Sequence, residues 1–141
     1  MKTVLTVDDS RVARTAIAHV LSTWGCRVLE ARDGREGVAV ARLTRPDLII
    51  LDVLMPVVDG RQALAILRQD PGCHHIPVIM LTAITGESLV QQCSHLGISG
   101  YLVKPVATDA LRDVVARVLG ATMQMPLPSG ATDAVRPALL G

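Results

Sequence analysis

The sequence predicts an α/β fold, a doubly wound parallel sheet of five strands with helices on both faces. Three observations predict it. Short apolar runs alternate with segments whose apolar residues recur at helical spacing. The strongest run, Leu48–Leu51, is unbroken and rich in branched residues, as a strand covered on both faces requires. The strand-then-helix order repeats five times. That repeat calls for parallel strands joined by right-handed crossovers.

Each element has a local reason. Val4–Val7 reads as the first strand. Ser10 can cap the helix that follows, whose apolar face is Ala13, Ala16, Ile17, Val20, Leu21 and Trp24. Gly25 ends that helix. Arg27–Ala31 is a weaker second strand. Asp33-Gly34 turns into a helix lasting to about Arg45, where Pro46 stops it. After Leu48–Leu51, a third helix spans about Gly60 to Gln69, and Asp70-Pro71-Gly72 breaks it. Pro77–Leu81 is strand four, and a poorly amphipathic fourth helix covers about Glu87 to Leu96. Gly100–Val103 is strand five. Thr108 is expected to cap the fifth helix, which buries Leu111, Val114, Val115, Val118 and Leu119 and ends at Gly120.

The length of 141 residues suits one domain, read as residues 1–120. From 121 to 141 the chain carries prolines and glycines without a helical stripe, and reads as a linker or C-terminal tail. Half of the residues are hydrophobic, yet no run approaches the ~18 apolar residues of a membrane span. The N-terminus lacks a signal-peptide layout, so a cytoplasmic protein is expected. A formal net charge of +1 gives no strong pull toward nucleic acid or membrane. Cys26, Cys73 and Cys93 are scattered, without metal-ligand spacing, and read as ordinary reduced thiols. Only Lys2 and Lys104 are lysines.

In doubly wound sheets, ligands sit outside the carboxyl ends of the strands. Strand one ends in Asp8-Asp9, strand three in Asp52 and strand four in Thr82, and Lys104 follows strand five. Taken singly, these have ordinary readings: a helix cap, a turn acid, a branched strand residue and a solvated lysine. Together they place three acids, a hydroxyl and an ammonium at one edge of the sheet. Three carboxylates in one cleft are unfavourable without a cation. Their hard oxygens suit a divalent ion such as Mg²⁺, which keeps waters and accepts a phosphate oxygen. A carboxylate can also act as a nucleophile toward phosphorus. Lys104 and Thr82 would then offset charge on the transferring group. His74 and His75 are neighbours without a third ligand and read as loop residues, while His19 and His95 read as helix-surface residues.

In order and spacing, "VDDS", "LDVLMPVVDG", "MLTA" and "YLVKP" resemble the receiver domains of two-component response regulators, over about residues 1 to 120. The resemblance implies a flavodoxin-like sheet with strand order 2-1-3-4-5. It implies that Asp52 is the phospho-acceptor, served by a sensor histidine kinase or a phosphotransfer protein. Asp9 would bind Mg²⁺ directly and Asp8 mainly through water, with Asp52 and the backbone carbonyl of Leu54 completing the protein ligands. Thr82 and Lys104 would grip the phosphoryl oxygens. Tyr101 would be an aromatic switch that turns inward when Thr82 moves. The Lys104-Pro105 bond is commonly cis in this family, and Met55-Pro56 and Gly60 would shape the loop after strand three. Leu54 and Ile84 would flank the path of the hydrolytic water; neither can orient a water by hydrogen bonding, so a long-lived phosphoryl group is expected.

The function implied is a signalling switch that catalyses only its own phosphorylation and dephosphorylation. The surface from the fourth helix to the fifth helix would contact an output partner, an output domain or a second copy of the chain, with no direct role for nucleic acid or membrane. The alternative is a pseudo-receiver, a phosphorylation-independent protein-interaction module. An aspartyl-phosphate hydrolase would be expected to carry a second acid at position 54, which is leucine. A nucleotide-binding domain should have a glycine-, serine- or threonine-rich loop after strand one, where "DDSRVAR" offers acids instead.

Overall fold

The computed structural model describes residues 1–55, 57–83 and 96–120. The strands are β1 (Thr3–Val7), β2 (Arg27–Ala31), β3 (Leu48–Asp52), β4 (Val78–Thr82) and β5 (Gly100–Val103). The described helices are α1 (Arg11–Thr23), α2 (Gly34–Thr44), α3 (Gly60–Gln69) and a C-terminal helix, here α4 (Thr108–Leu119). All strand pairs are parallel, in the order β2-β1-β3-β4-β5. The expected helix over about 87–96 lies almost wholly outside the described residues, and Pro56, Ile84, Cys93, His95 and the stretch 121–141 lie outside them entirely.

Alternation along the strands builds two cores. On one face Leu5, Val7, Ile49, Leu51, Val78 and Met80 pack under α2 and α3. On the other, Val4, Leu48, Ile50, Ile79 and Leu81 pack against Ile17 and Leu21 of α1 and Leu111, Val114 and Val115 of α4. Leu48–Leu51 is buried throughout, so both faces of β3 contribute. Each fully buried Leu or Ile side chain stabilises the fold by about 1.5–3 kcal/mol relative to exposure. The central strands are therefore the rigid support for whatever stands at their ends.

Local chemistry sets the helix starts. The Ser10 hydroxyl accepts from the Ala13 N–H at 3.3 Å, and Asp33 accepts from the Glu36 N–H at 2.8 Å. Asp59 and Gln62 form a reciprocal capping box at α3. Gly25, at φ +83°, follows α1. The expected cap at Thr108 is corrected: Thr108 is the first residue of α4, and extended Ala107 occupies the cap position without a side-chain acceptor. The negative charge near that helix start comes from Asp109, in the first turn. Val118 and Leu119 are only partly buried, because they lie at the end of α4. Ala16 is exposed rather than buried. Alanine on a helix does not declare its face, since either environment accepts a methyl group.

Cys26 and Cys73 are free and buried, and burial raises both thiols above their ordinary pKa. Among the described residues, no helix is long and apolar enough to cross a membrane.

Candidate functional site

The parallel registers bring the strand ends to one edge. Val7 pairs with Leu51, Asp52 with Leu81, and Thr82 with Val103. The ladders run slightly further than the apolar runs indicate, so Asp52 and Thr82 are themselves the last residues of β3 and β4. Asp8 follows β1 and is still tied to the sheet, its N–H donating to the Ala31 carbonyl at 3.1 Å. The Lys104 N–H donates to the Thr82 carbonyl at 2.7 Å and so extends the β4–β5 pairing. The Lys104-Pro105 bond is cis.

Side chains from these ends meet. Asp8 is fully buried; its Oδ1 accepts from the Ser10 N–H at 2.9 Å, and its Oδ2 lies 2.8 Å from Lys104 Nζ. The same ammonium lies 3.2 Å from Asp52 Oδ2. Asp52 and Thr82 are buried, whereas Asp9 is exposed. Carboxylate oxygens of Asp8, Asp9 and Asp52 all lie within 4.8 Å of one another. Among the described residues this is the one cluster of acids, histidines and cysteines with spacing to hold a metal ion.

The electrostatics follow from that crowding. Burial, then repulsion from Asp8, pushes the Asp52 carboxyl up to about 6 against the opposing pull of Lys104. Burial alone would lower the pKa of Lys104, but Asp8 and Asp52 outweigh it and hold the ammonium above its ordinary value. Lys104 thus bridges two carboxylates and leaves the cluster with excess negative charge. The donor set fits Mg²⁺: the oxygens are hard and closely spaced, and Asp9 faces solvent, where the ion's waters would remain.

The two ends of the loop after β3 are held by main-chain hydrogen bonds. The Val53 N–H donates to the Leu81 carbonyl at 2.9 Å, and the Gly60 N–H to the Val53 carbonyl at 2.8 Å. Val57 adopts a left-handed φ of 68°, an unusual conformation for a branched residue. Leu54, within this loop, presents an exposed side chain. On the opposite flank, Val12, Ala13 and Ile17 of α1 and Pro105 and Val106 line a largely apolar groove of about 500 Å³ that reaches Lys104.

Other expected positions stand elsewhere. Tyr101 lies on edge strand β5, 49% exposed, beside Met80 in register. His74 and His75 make an edge-to-face ring contact in the loop before β4. Sequence reasoning missed Arg14, which donates to the Asp8 carbonyl at 2.7 Å and to Glu30 at 3.0 Å. No local sequence signal links Arg14 to Glu30, because they belong to different elements.

Comparison with known proteins agrees with this fold. The family model described as "Response regulator receiver domain" matches residues 4–116. Protein PilH of Pseudomonas aeruginosa is 35% identical over 119 residues, covering 84% of this chain and 98% of that protein. The structure of the chemotaxis response regulator CheY4 of Vibrio cholerae superposes with a TM-score of 0.79 at 38% identity, covering 84% of this chain and 98% of that one. A sensor histidine kinase receiver domain from Pseudomonas aeruginosa PAO1 matches with a TM-score of 0.78 at 32% identity, covering 85% of this chain and 98% of that one. That domain was solved with a magnesium ion coordinated in its active-site cleft.

Proposed function

We propose, for a chain that belongs to the response regulator receiver domain family, that Asp52 is its phospho-acceptor in a Mg²⁺-dependent signalling switch. The observation that carries this reading is the juxtaposition of three carboxylates within 4.8 Å with a lysine ammonium between two of them. A carboxylate oxygen of Asp52 attacks phosphorus. The new P–O bond forms as the P–N bond of a donor phosphohistidine breaks, and the departing imidazole nitrogen takes a proton from solvent. Asp8, Asp9, Asp52 and the Leu54 carbonyl would hold Mg²⁺. When bound, the ion offsets charge on the phosphoryl oxygens.

Lys104 is poised to release its pairing with Asp52 and turn to a phosphoryl oxygen, while Asp8 keeps the ammonium in the cleft. The Thr82 hydroxyl, from the neighbouring strand end, donates to another. Its movement would let the Tyr101 ring turn inward and alter the β5 surface, which would pass the signal to an output partner, an output domain or a second copy of this chain. The apolar groove beside Lys104 gives a donor histidine kinase or phosphotransfer protein a place to sit within reach of Asp52.

The test is incubation with acetyl phosphate and Mg²⁺, followed by intact-mass measurement. Wild type is expected to gain one phosphoryl group, and Asp52→Asn none. An unmodified wild type would sink the reading and leave the phosphorylation-independent interaction module in its place.

A further inference from the structure

Arg14 stands in the first turns of α1, where the helix dipole disfavours a cation. Its side chain is only 15% exposed. Two contacts offset that cost: Nη1 donates to the Asp8 carbonyl at 2.7 Å, and Nε donates to Glu30 Oε1 on β2 at 3.0 Å. The ion pair itself adds little to stability, because Glu30 is 43% exposed and water screens the pair. The arrangement is more informative about the peptide that Arg14 grips.

That peptide joins Asp8 to Asp9. Every other polar group of Asp8 is already held: its N–H by Ala31, Oδ1 by the Ser10 N–H, and Oδ2 by Lys104. Arg14 holds the remaining one, the carbonyl. The peptide plane after Asp8 is thereby fixed, and with it the direction in which the exposed Asp9 side chain leaves the main chain. Arg14 brings its charge to the site already paired with Glu30.

We propose that Arg14, anchored on Glu30, is a positioning residue for the acidic site. By clamping the Asp8 carbonyl it sets where the Asp9 carboxylate stands. The inference rests on the Mg²⁺ reading above and deepens it. Position and charge make opposite predictions here. Removing a cation from beside three carboxylates should tighten Mg²⁺ binding by Coulomb attraction alone. Removing a clamp should weaken it, and outer contacts that orient metal ligands typically matter by about 10–100-fold in affinity.

The experiment is calorimetric titration of Mg²⁺ into wild type, Arg14→Gln and Arg14→Lys. Amide spectra of the metal-free proteins are recorded alongside. Both variants are expected to bind about tenfold more weakly, because lysine keeps the charge and loses the two-point grip. The Asp9 and Ser10 amides should shift while those of Val53 and Thr82 hold. Unchanged or tighter binding in Arg14→Gln, a lysine variant equal to wild type, or shifts spread evenly over all four amides would each overturn the inference. If Arg14→Gln does not fold, Glu30→Gln, which removes only the anchor, must weaken binding for the inference to stand. A wild type that takes up no Mg²⁺ would overturn the metal reading itself, an outcome distinct from the others.

Discussion

Gly60 lies against the main chain of Asp52 so closely that a Cβ at position 60 would stand 2.3 Å from the Asp52 carbonyl oxygen. The same glycine donates its N–H to the Val53 carbonyl, so the start of α3 is seated on the end of β3. The close atom is backbone within a buried strand and cannot swing aside. Gly60→Ala is expected to destabilise the protein by about 1–3 kcal/mol in urea denaturation. It should also slow the proposed phosphoryl acceptance, because the strand end that carries Asp52 must shift. A variant as stable as wild type would show that the loop relaxes freely.

Asp52 supplies a pH signature. Its carboxyl, pushed up to about 6 in the folded chain, binds a proton more tightly than in the unfolded chain. The stability this contributes is complete below the unfolded pKa of about 3.9 and is lost as pH rises through about 6. In metal-free buffer, Asp52→Asn should therefore melt above wild type at about pH 7.5, with the gap closing toward about pH 4. A gap that stays constant across the range would assign the effect to something other than this carboxyl.

Lys104 is the one cation shown between Asp8 and Asp52 among the described residues, and Asp8 has no exposure to solvent. Lys104→Met should lower the metal-free melting temperature, because it leaves a buried carboxylate without its counter-charge. It should also tighten Mg²⁺ binding, so that the ion restores more of the variant's stability than it adds to wild type. On the proposed reading, phosphoryl acceptance should nevertheless fall, since the charge proposed to meet the phosphoryl group is gone. Melting curves with and without Mg²⁺ check the first two effects, and intact mass checks the third. Equal Mg²⁺ shifts in both proteins would contradict the electrostatic account.

The parts of the molecule legible in the sequence are those governed by period and order. Leu48–Leu51 reads as a doubly covered strand because every residue is apolar, and its strand is buried on both faces. Once the strands are parallel, Asp8, Asp52, Thr82 and Lys104 must share an edge, which is why the cluster could be anticipated. Contacts that depend on three-dimensional fit were hidden. A glycine at the start of α3 gives no sign that it touches Asp52. The pairing of Arg14 with Glu30 depends on how far α1 leans over β2. Thr108 has the chemistry of a cap, but the chain enters the helix one residue earlier, at Ala107.

On the proposed reading, Leu54 bears on how long the switch stays on. It follows Asp52, the proposed acceptor, by two residues, and its side chain is 60% exposed. Leucine has no donor or acceptor with which to align a water for attack on phosphorus. A phosphoryl group on Asp52 is therefore expected to persist well beyond seconds in the absence of a phosphatase. Leu54→Gln, which adds an amide able to hold a water, should speed its loss several-fold. The measurement is the decay of the phosphorylated mass after acetyl phosphate is removed. Loss within seconds from wild type, or an unchanged rate in the variant, would mean that hydrolysis is controlled from elsewhere in the cleft.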